Sequence, residues 1–331
     1  MERIQTFDVM KGIGIVAMVL GHCISNKYLV QFIYIWHMPL FFILSGYFFK
    51  PDSTINAVRK SFKSILIPYI VACITIILFA YVEKFLIGFQ QIGIFVNGAL
   101  FGTPMALWKS NNLFAKGYIF ALWFLPALFS CRIMYNSFFR LSTTRNMLMG
   151  GVLCFSSVLI TKQIGHLPLG ILQAMYAIIF FQIGNTIKRY HLFERFNTPV
   201  HITIAVILFS LSIIYGKIGM ASCTIKNPLI SIPGAVSAVM LMYMLLSRIP
   251  QTRTRFLAHL GRISILILCL HTFDGLLGIS SLVNFGIAKY LNVSHSLTRP
   301  ILMLIFAVVG SICLSRFSYV RKAMNIKSIP N

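Results

Sequence analysis

About ten stretches of roughly 17 to 23 mostly apolar residues follow one another along the chain, each long enough to cross a bilayer as a helix. Backbone groups inside hydrocarbon have no water to bond, so such stretches must be helical. The chain is 58% hydrophobic and 11% charged, whereas a soluble domain is ~25% charged. We therefore predict an all-α, polytopic membrane protein with about ten transmembrane helices in one domain, residues 1–331. The apolar runs lie at 9–26, 29–49, 65–87, 118–139, 147–163, 168–187, 199–215, 228–247, 263–281 and 298–316.

Basic residues greatly outnumber acidic ones, with 29 Lys and Arg against 6 Asp and Glu. Such an excess in a soluble protein would suggest a nucleic-acid partner. Here the basic residues lie between apolar runs, so we predict no nucleic acid and interpret them first as topology signals. With the N-terminus inside, the inner segments carry about twice as many basic residues as the outer ones. This bias predicts cytoplasmic N- and C-termini, and membrane lipid or a phosphorylated cofactor is the second interpretation.

The first apolar run contains three polar residues that could carry chemistry, because charged groups within spans are costly and tend to be functional. Asp8 and Lys11 are three residues apart and can pair on one helix face. His22 follows Lys11 by eleven residues, about 16 Å along the same face. Alternatively, Lys11 extends to the membrane interface and His22 bonds a neighbouring helix.

Two further runs carry histidines. His37, in the second run, can meet His22 at similar depth across a short hairpin. His271 and Asp274, in the ninth run, share a helix face, and a carboxylate beside an imidazole fixes its tautomer and raises its basicity. The alternative for each is a structural group that joins packed helices.

Basic side chains outside the first run suggest an anion site. Arg59, Lys60 and Lys63 lie within about one helical turn, just before an apolar run. They are either topology signals alone or a phosphate clamp at the cytoplasmic mouth of a pore. Arg132, within the fourth run, is expected to face the interior. We predict no metal, because no His or Cys pattern has zinc-motif spacing.

Six short motifs occur in order along essentially the whole chain. They are R-x4-D-x2-KG-x9-H from Arg3 to His22, HMPLFFILSGYFF from His37 to Phe49, K-S-x3-P-Y ending at Tyr69, LWFLPALF at 122–129, FFQIGN at 180–185 and GRISILILCLH at 261–271. In this order they resemble the acyltransferase-3 family of membrane acyltransferases, particularly its fucose and other sugar O-acetylases.

The resemblance implies a ten-span enzyme of the bacterial cytoplasmic (inner) membrane. Such an enzyme takes an acyl group, often acetyl, from cytoplasmic acyl-CoA. Its acceptor is an extracytoplasmic or lipid-linked glycan such as O antigen or exopolysaccharide. The resemblance also implies that Lys11 and His22 form the family's basic-x10-His motif, with His22 in catalysis. Lys60 and Lys63 match a basic-x-x-basic motif proposed to hold CoA.

One position departs from the family pattern. Ser25 stands where some members have an acidic residue three positions after the histidine. If His22 needs a carboxylate, it must come from elsewhere, and Asp274 is one candidate.

The resulting hypothesis is transfer of acetyl from acetyl-CoA to a sugar hydroxyl. The expected catalytic residues are His22, His37, His271 and Asp274, and the expected CoA-binding residues are Lys11, Arg59, Lys60, Lys63 and Arg132. The alternative is a transporter or flippase of a glycolipid intermediate, because intramembrane His and Asp residues also suit proton relays.

Overall fold

The structure is a computed structural model that describes residues 2–87, 92–104, 116–139, 141–196, 198–278 and 295–326. The first half contains α1 (Glu2–Cys23), α2 (Lys27–Tyr47), α3 (Thr54–Ser61), α4 (Ile67–Ile87), α5 (Ile92–Phe101), α6 (Phe124–Phe138) and α7 (Thr143–Ile164). The second half contains α8 (Ile171–Arg189), α9 (Leu192–Arg195), α10 (Pro199–Tyr215), α11 (Pro228–Leu246), α12 (Gln251–Arg262), α13 (Ser264–Leu277), α14 (His295–Ser315) and α15 (Ser318–Ala323). The predicted all-α, multi-pass architecture is confirmed.

Short irregular elements join these helices. A π-helical turn (Phe62–Leu66) connects α3 to α4, and 3-10 turns (Phe120–Trp123 and Pro168–Gly170) precede α6 and α8. Between α10 and α11 the chain forms a two-stranded antiparallel hairpin of β1 (Lys217–Gly219) and β2 (Thr224–Lys226). The apolar-run pattern did not predict this hairpin, because it covers only the short connection between two runs.

Each of the ten predicted runs coincides with a helix in its described part. Within the described residues, seven helices are long and apolar enough to cross a membrane, and the α12–α13 pair, bent by 59°, could form an eighth. α10 is apolar but shorter, with 17 residues. α6 has 15 residues and also contains Arg132. The total of ten spans and the inward orientation of both termini stay predictions.

Side-chain caps explain where several helices begin. The Asn26 side chain accepts hydrogen bonds from the backbone N–H groups of Tyr28 and Leu29, which starts α2 after a very short turn. Because that turn is short, α1 and α2 run antiparallel. The beginning of α1 therefore lies beside the end of α2, where the rings of Phe7 and Phe48 are 5.0 Å apart.

Glycines allow two pairs of helices to pack with their backbones in contact. A Cβ on Gly12 of α1 would lie 2.9 Å from the carbonyl carbon of Leu257 in α12. A Cβ on Gly261 would lie 2.7 Å from the carbonyl carbon of Asp8. Gly46 of α2 and Gly184 of α8 make an equivalent pair. Small residues at membrane-helix interfaces permit this close approach, which increases van der Waals packing.

The hairpin is fixed by side chains from three helices. Gln31 of α2 donates to the carbonyl of Gly216 (2.6 Å), and Tyr176 of α8 donates to that of Thr224 (3.0 Å). Gln173 of α8 donates to the carbonyl of Ala221 (3.3 Å). In α11, the Ser231 hydroxyl accepts from the backbone N–H of Lys217 (3.1 Å). The hairpin is therefore held against α2, α8 and α11 as a fixed wall.

Candidate active site

A cavity of about 1050 Å³ lies among α1, α2, α6, α13 and the hairpin. Its volume is at the upper limit of the ~300–1,000 Å³ usual for ligand pockets. Seven of the ionisable side chains on its wall form two groups, which we call the basic end (Asp8, Lys11, Arg132 and Arg262) and the histidine end (His22, Tyr34 and His37). Lys217 of the hairpin also lines the wall. On α1, Lys11 and His22 are about 16 Å apart along the helix axis.

The basic end is built on Asp8, which pairs with two cations. Lys11 Nζ lies 3.0 Å from Asp8 Oδ1, as its spacing predicted, and Arg262 Nε lies 3.1 Å from Asp8 Oδ2. Arg262 reaches Asp8 because Gly12 and Gly261 bring α1 and α12 into backbone contact. The side chains of Lys11 and Arg262 stay 31% and 35% exposed. Both therefore remain accessible to a ligand in the cavity.

Arg132 adds a third cation at the same end. It lies one turn before Asn136, which donates a hydrogen bond to the backbone carbonyl of Asp52, just beyond the end of α2 (3.0 Å). Within the part of the chain that the structure describes, its guanidinium has no ion pair or hydrogen bond. The cavity wall thus agrees with the expectation that Arg132 faces the interior.

The histidine end brings together two residues that the sequence singled out. His22, near the end of α1, is exposed and lines the cavity. None of the described residues makes a hydrogen bond to its ring. His37 is 4% exposed, and its Nδ1 lies 2.9 Å from the carbonyl oxygen of Ile33. The ring of Tyr34 is a neighbour of both histidines, with its centroid 6.2 Å from that of His22 and 5.0 Å from that of His37.

The hydrogen bond to Ile33 fixes the tautomer of a neutral His37. A carbonyl oxygen only accepts, so Nδ1 carries the proton. Nε2 then has a free lone pair and can accept a proton or a hydroxyl hydrogen. The geometry of His37 therefore suits an acceptor of hydrogen bonds at the cavity wall.

His271 and Asp274 are three residues apart on α13, as the sequence analysis noted, but they form no hydrogen bond with each other. Both ring nitrogens of His271 are buried without a hydrogen-bond partner. Asp274 is fully buried and has its polar interactions elsewhere. A three-residue spacing puts two side chains on one face, but it does not make them point at each other. His271 instead stacks on His22, with ring centroids 5.1 Å apart and an interplanar angle of 27°.

The basic residues of α3 and its π-turn lie outside the cavity wall. Lys60 Nζ pairs with Asp52 Oδ2 at 2.5 Å, and its side chain is 73% exposed. This hydrogen bond lowers the pKa of Asp52 below its usual range. Arg59 and Lys63 border a separate shallow depression together with Ile55, Val58 and Phe62.

Sequence patterns did not identify Arg262 or the hairpin as parts of the site. In the sequence, Arg262 is one of the basic residues between apolar runs and the second residue of the GRISILILCLH motif. The hairpin contributes backbone and hydroxyl groups from Gly219, Ser222 and Thr224 to the cavity wall. Only the folded chain brings these three hairpin residues to the histidine end.

The fold and the cavity define a multi-pass membrane protein with an internal site that combines cations and histidines. The chain belongs to the acyltransferase-3 family, whose sequence model, described as "Acyltransferase domain", matches residues 4–317. It is therefore a membrane acyltransferase. No curated protein and no solved structure gave a match. Among the described residues, no group of three or more His, Cys, Asp or Glu side chains converges as a metal site would require.

Proposed function

We propose that the protein transfers an acetyl group from cytoplasmic acetyl-CoA to a hydroxyl of an extracytoplasmic or lipid-linked glycan, such as O antigen or exopolysaccharide. The enzyme would act in the bacterial cytoplasmic membrane. The observation that carries the proposal is the cavity, which joins an accessible His22 at one end to three cations at the other. A transferase that accepts an anionic, phosphate-bearing donor and a neutral hydroxyl needs these two environments in one space.

His22 is the proposed catalytic base. Its ring is exposed to the cavity and is free to bind an incoming hydroxyl. In direct transfer, His22 accepts the hydroxyl proton while the sugar oxygen forms a bond to the thioester carbonyl carbon. The carbon–sulfur bond breaks, and the CoA thiolate takes a proton back from the imidazolium. Transient transfer of the acetyl group to His22 is the alternative route.

The neighbouring residues have supporting roles in this proposal. His37 Nε2 accepts a hydrogen bond from the sugar and orients it. His271, stacked on His22, restricts the ring of the base and acts as a positioning residue. Asp274, fully buried three residues further along α13, supplies negative charge near the histidines when the base is protonated.

The proposal is tested by replacing His22 with alanine and measuring acetyl esters on the surface glycan by mass spectrometry. His201→Ala is the matched control, because His201 pairs with Thr198 at the start of α10 and does not line the cavity. At equal protein levels in the membrane, we expect loss of the ester in His22→Ala only. Retained ester in His22→Ala, together with failure to export unmodified glycan, would support a transporter instead.

A further inference from the structure

The cations considered for the donor phosphates form two separate groups, and only one of these groups shares a space with His22. Arg59, Lys60 and Lys63 lie on α3 and its π-turn, outside the cavity wall. Lys11, Arg132 and Arg262 line the cavity. We propose that the donor diphosphate binds in the cavity between Arg132 and the Arg262–Asp8–Lys11 cluster, and not at the α3 cations. This inference rests on the proposed use of acetyl-CoA.

The excess of positive charge at the basic end supports the cavity as the diphosphate site. The basic end holds three cations, and among the described residues the Asp8 carboxylate pairs with two of them, Lys11 and Arg262. An unpaired guanidinium such as that of Arg132 is costly inside a membrane protein. The surplus of positive charge suits a ligand with two adjacent negative charges. Arginine forks also bind phosphate oxygens with two parallel hydrogen bonds, which lysine cannot do.

The length of the pantetheine arm also supports a diphosphate site inside the cavity. The pantetheine arm has about twelve bonds between its phosphate oxygen and its sulfur, equal to about four extended residues or roughly 14 Å. Lys11 and His22 are about 16 Å apart along α1. A diphosphate at the basic end therefore brings the thioester to His22. A diphosphate on the exposed Lys60 would start outside the cavity.

The α3 cations, Arg59, Lys60 and Lys63, lie among exposed apolar side chains and not in a cavity. Ile55 is 81% exposed, and Val58 and Phe62 beside it are also exposed. A short helix with exposed apolar and basic side chains is typical of a membrane interface, where the apolar residues enter the lipid and the cations meet head groups. Lys60 is in addition already paired with Asp52.

The experiment measures CoA binding to the purified full chain in nanodiscs by calorimetry, which requires no acceptor and no turnover. We expect Arg262→Gln and Arg132→Gln each to weaken CoA binding about tenfold or more, because each removes hydrogen bonds between charged groups. Arg262→Lys, which keeps a charge beside Asp8, should restore part of the affinity. The competing assignment, in which the α3 cations hold the donor, is tested by Lys60→Gln with Lys63→Gln, which should change the affinity by less than about twofold.

Two ligand variants identify the part of CoA that is bound. 3′-Dephospho-CoA keeps the diphosphate, so Arg262→Gln should weaken its binding as much as that of CoA. S-Acetylpantetheine lacks the diphosphate, so the same substitution should leave its binding unchanged. Equal losses for S-acetylpantetheine, or a tenfold loss in the Lys60/Lys63 variant with none in Arg262→Gln, would overturn the inference. A wild-type protein that binds no CoA would overturn the proposed donor itself, which separates the two failures.

Discussion

Replacing Gly12 with alanine should destabilise the protein, although alanine is the better helix former by about 1 kcal/mol in water. The added Cβ would lie 2.9 Å from the carbonyl carbon of Leu257, and still closer to its oxygen, whereas ordinary contact begins at 3.4 Å. The helices α1 and α12 must therefore separate by at least about 0.5 Å. Overpacking of this kind costs about 1–3 kcal/mol, which corresponds to roughly 1.5–4 °C in Tm for a chain of this size.

The measurement is thermal unfolding of the purified variant beside Gly151→Ala, in which the new Cβ has no atom within 4 Å. We expect Gly151→Ala to match or slightly exceed the wild type, while Gly12→Ala unfolds at a lower temperature. CoA affinity should fall in Gly12→Ala as well, because the separation moves Lys11 away from Arg262. Equal Tm values for the two variants would show that the α1–α12 contact is looser than this geometry requires.

Two further predictions concern the hairpin and His166, a buried residue in the short connection between α7 and α8. Gln31→Ala removes the hydrogen bond to Gly216 (2.6 Å), which should cost about 1 kcal/mol and speed proteolysis within residues 216–227; an unchanged cleavage rate would mean that the other anchors suffice. Burial lowers the pKa of His166 from 6.5 to about 4. The unfolded chain therefore binds the proton first as the pH falls, and this contribution to stability is complete above pH 6.5 and lost toward pH 4. The Tm of the wild type should drop between pH 7 and pH 5 by more than that of His166→Gln, and equal drops would contradict this.

The sequence predicted the helices and several of the charged and histidine side chains on the cavity wall. Apolar length alone located each helical run, because lipid leaves the backbone few other conformations. The cost of polar groups in a membrane singled out Lys11, His22, His37 and Arg132, and all four line one cavity. This worked because a polar side chain within a span avoids lipid and turns inward.

The sequence patterns could not predict contacts between distant segments of the chain. Spacing put His271 and Asp274 on one face, but rotamers and neighbouring helices decided that His271 meets His22 instead. Arg262 lies 254 residues from Asp8. Their ion pair depends on the close approach of α1 and α12 at Gly12 and Gly261. The spacing of apolar residues along the chain does not predict this approach. The cationic cluster of α3 looked suitable for phosphate because its one-dimensional spacing is compact, yet its side chains are exposed outside the cavity.

Two cations of the basic end, Lys11 and Arg132, lie within apolar runs and not in the connecting segments. The topology prediction rests on Lys and Arg residues of the connecting segments, and Lys11 and Arg132 were not used for it. Arg132 nevertheless lies one turn before Asn136, which donates to the carbonyl of Asp52 in a segment that the charge bias predicts to be cytoplasmic. Lys11 lines the same cavity. A phosphate-bearing donor made in the cytoplasm would then meet cations first and histidines last. The order of side chains along α1, with Lys11 before His22, would thus set the direction of transfer across the membrane.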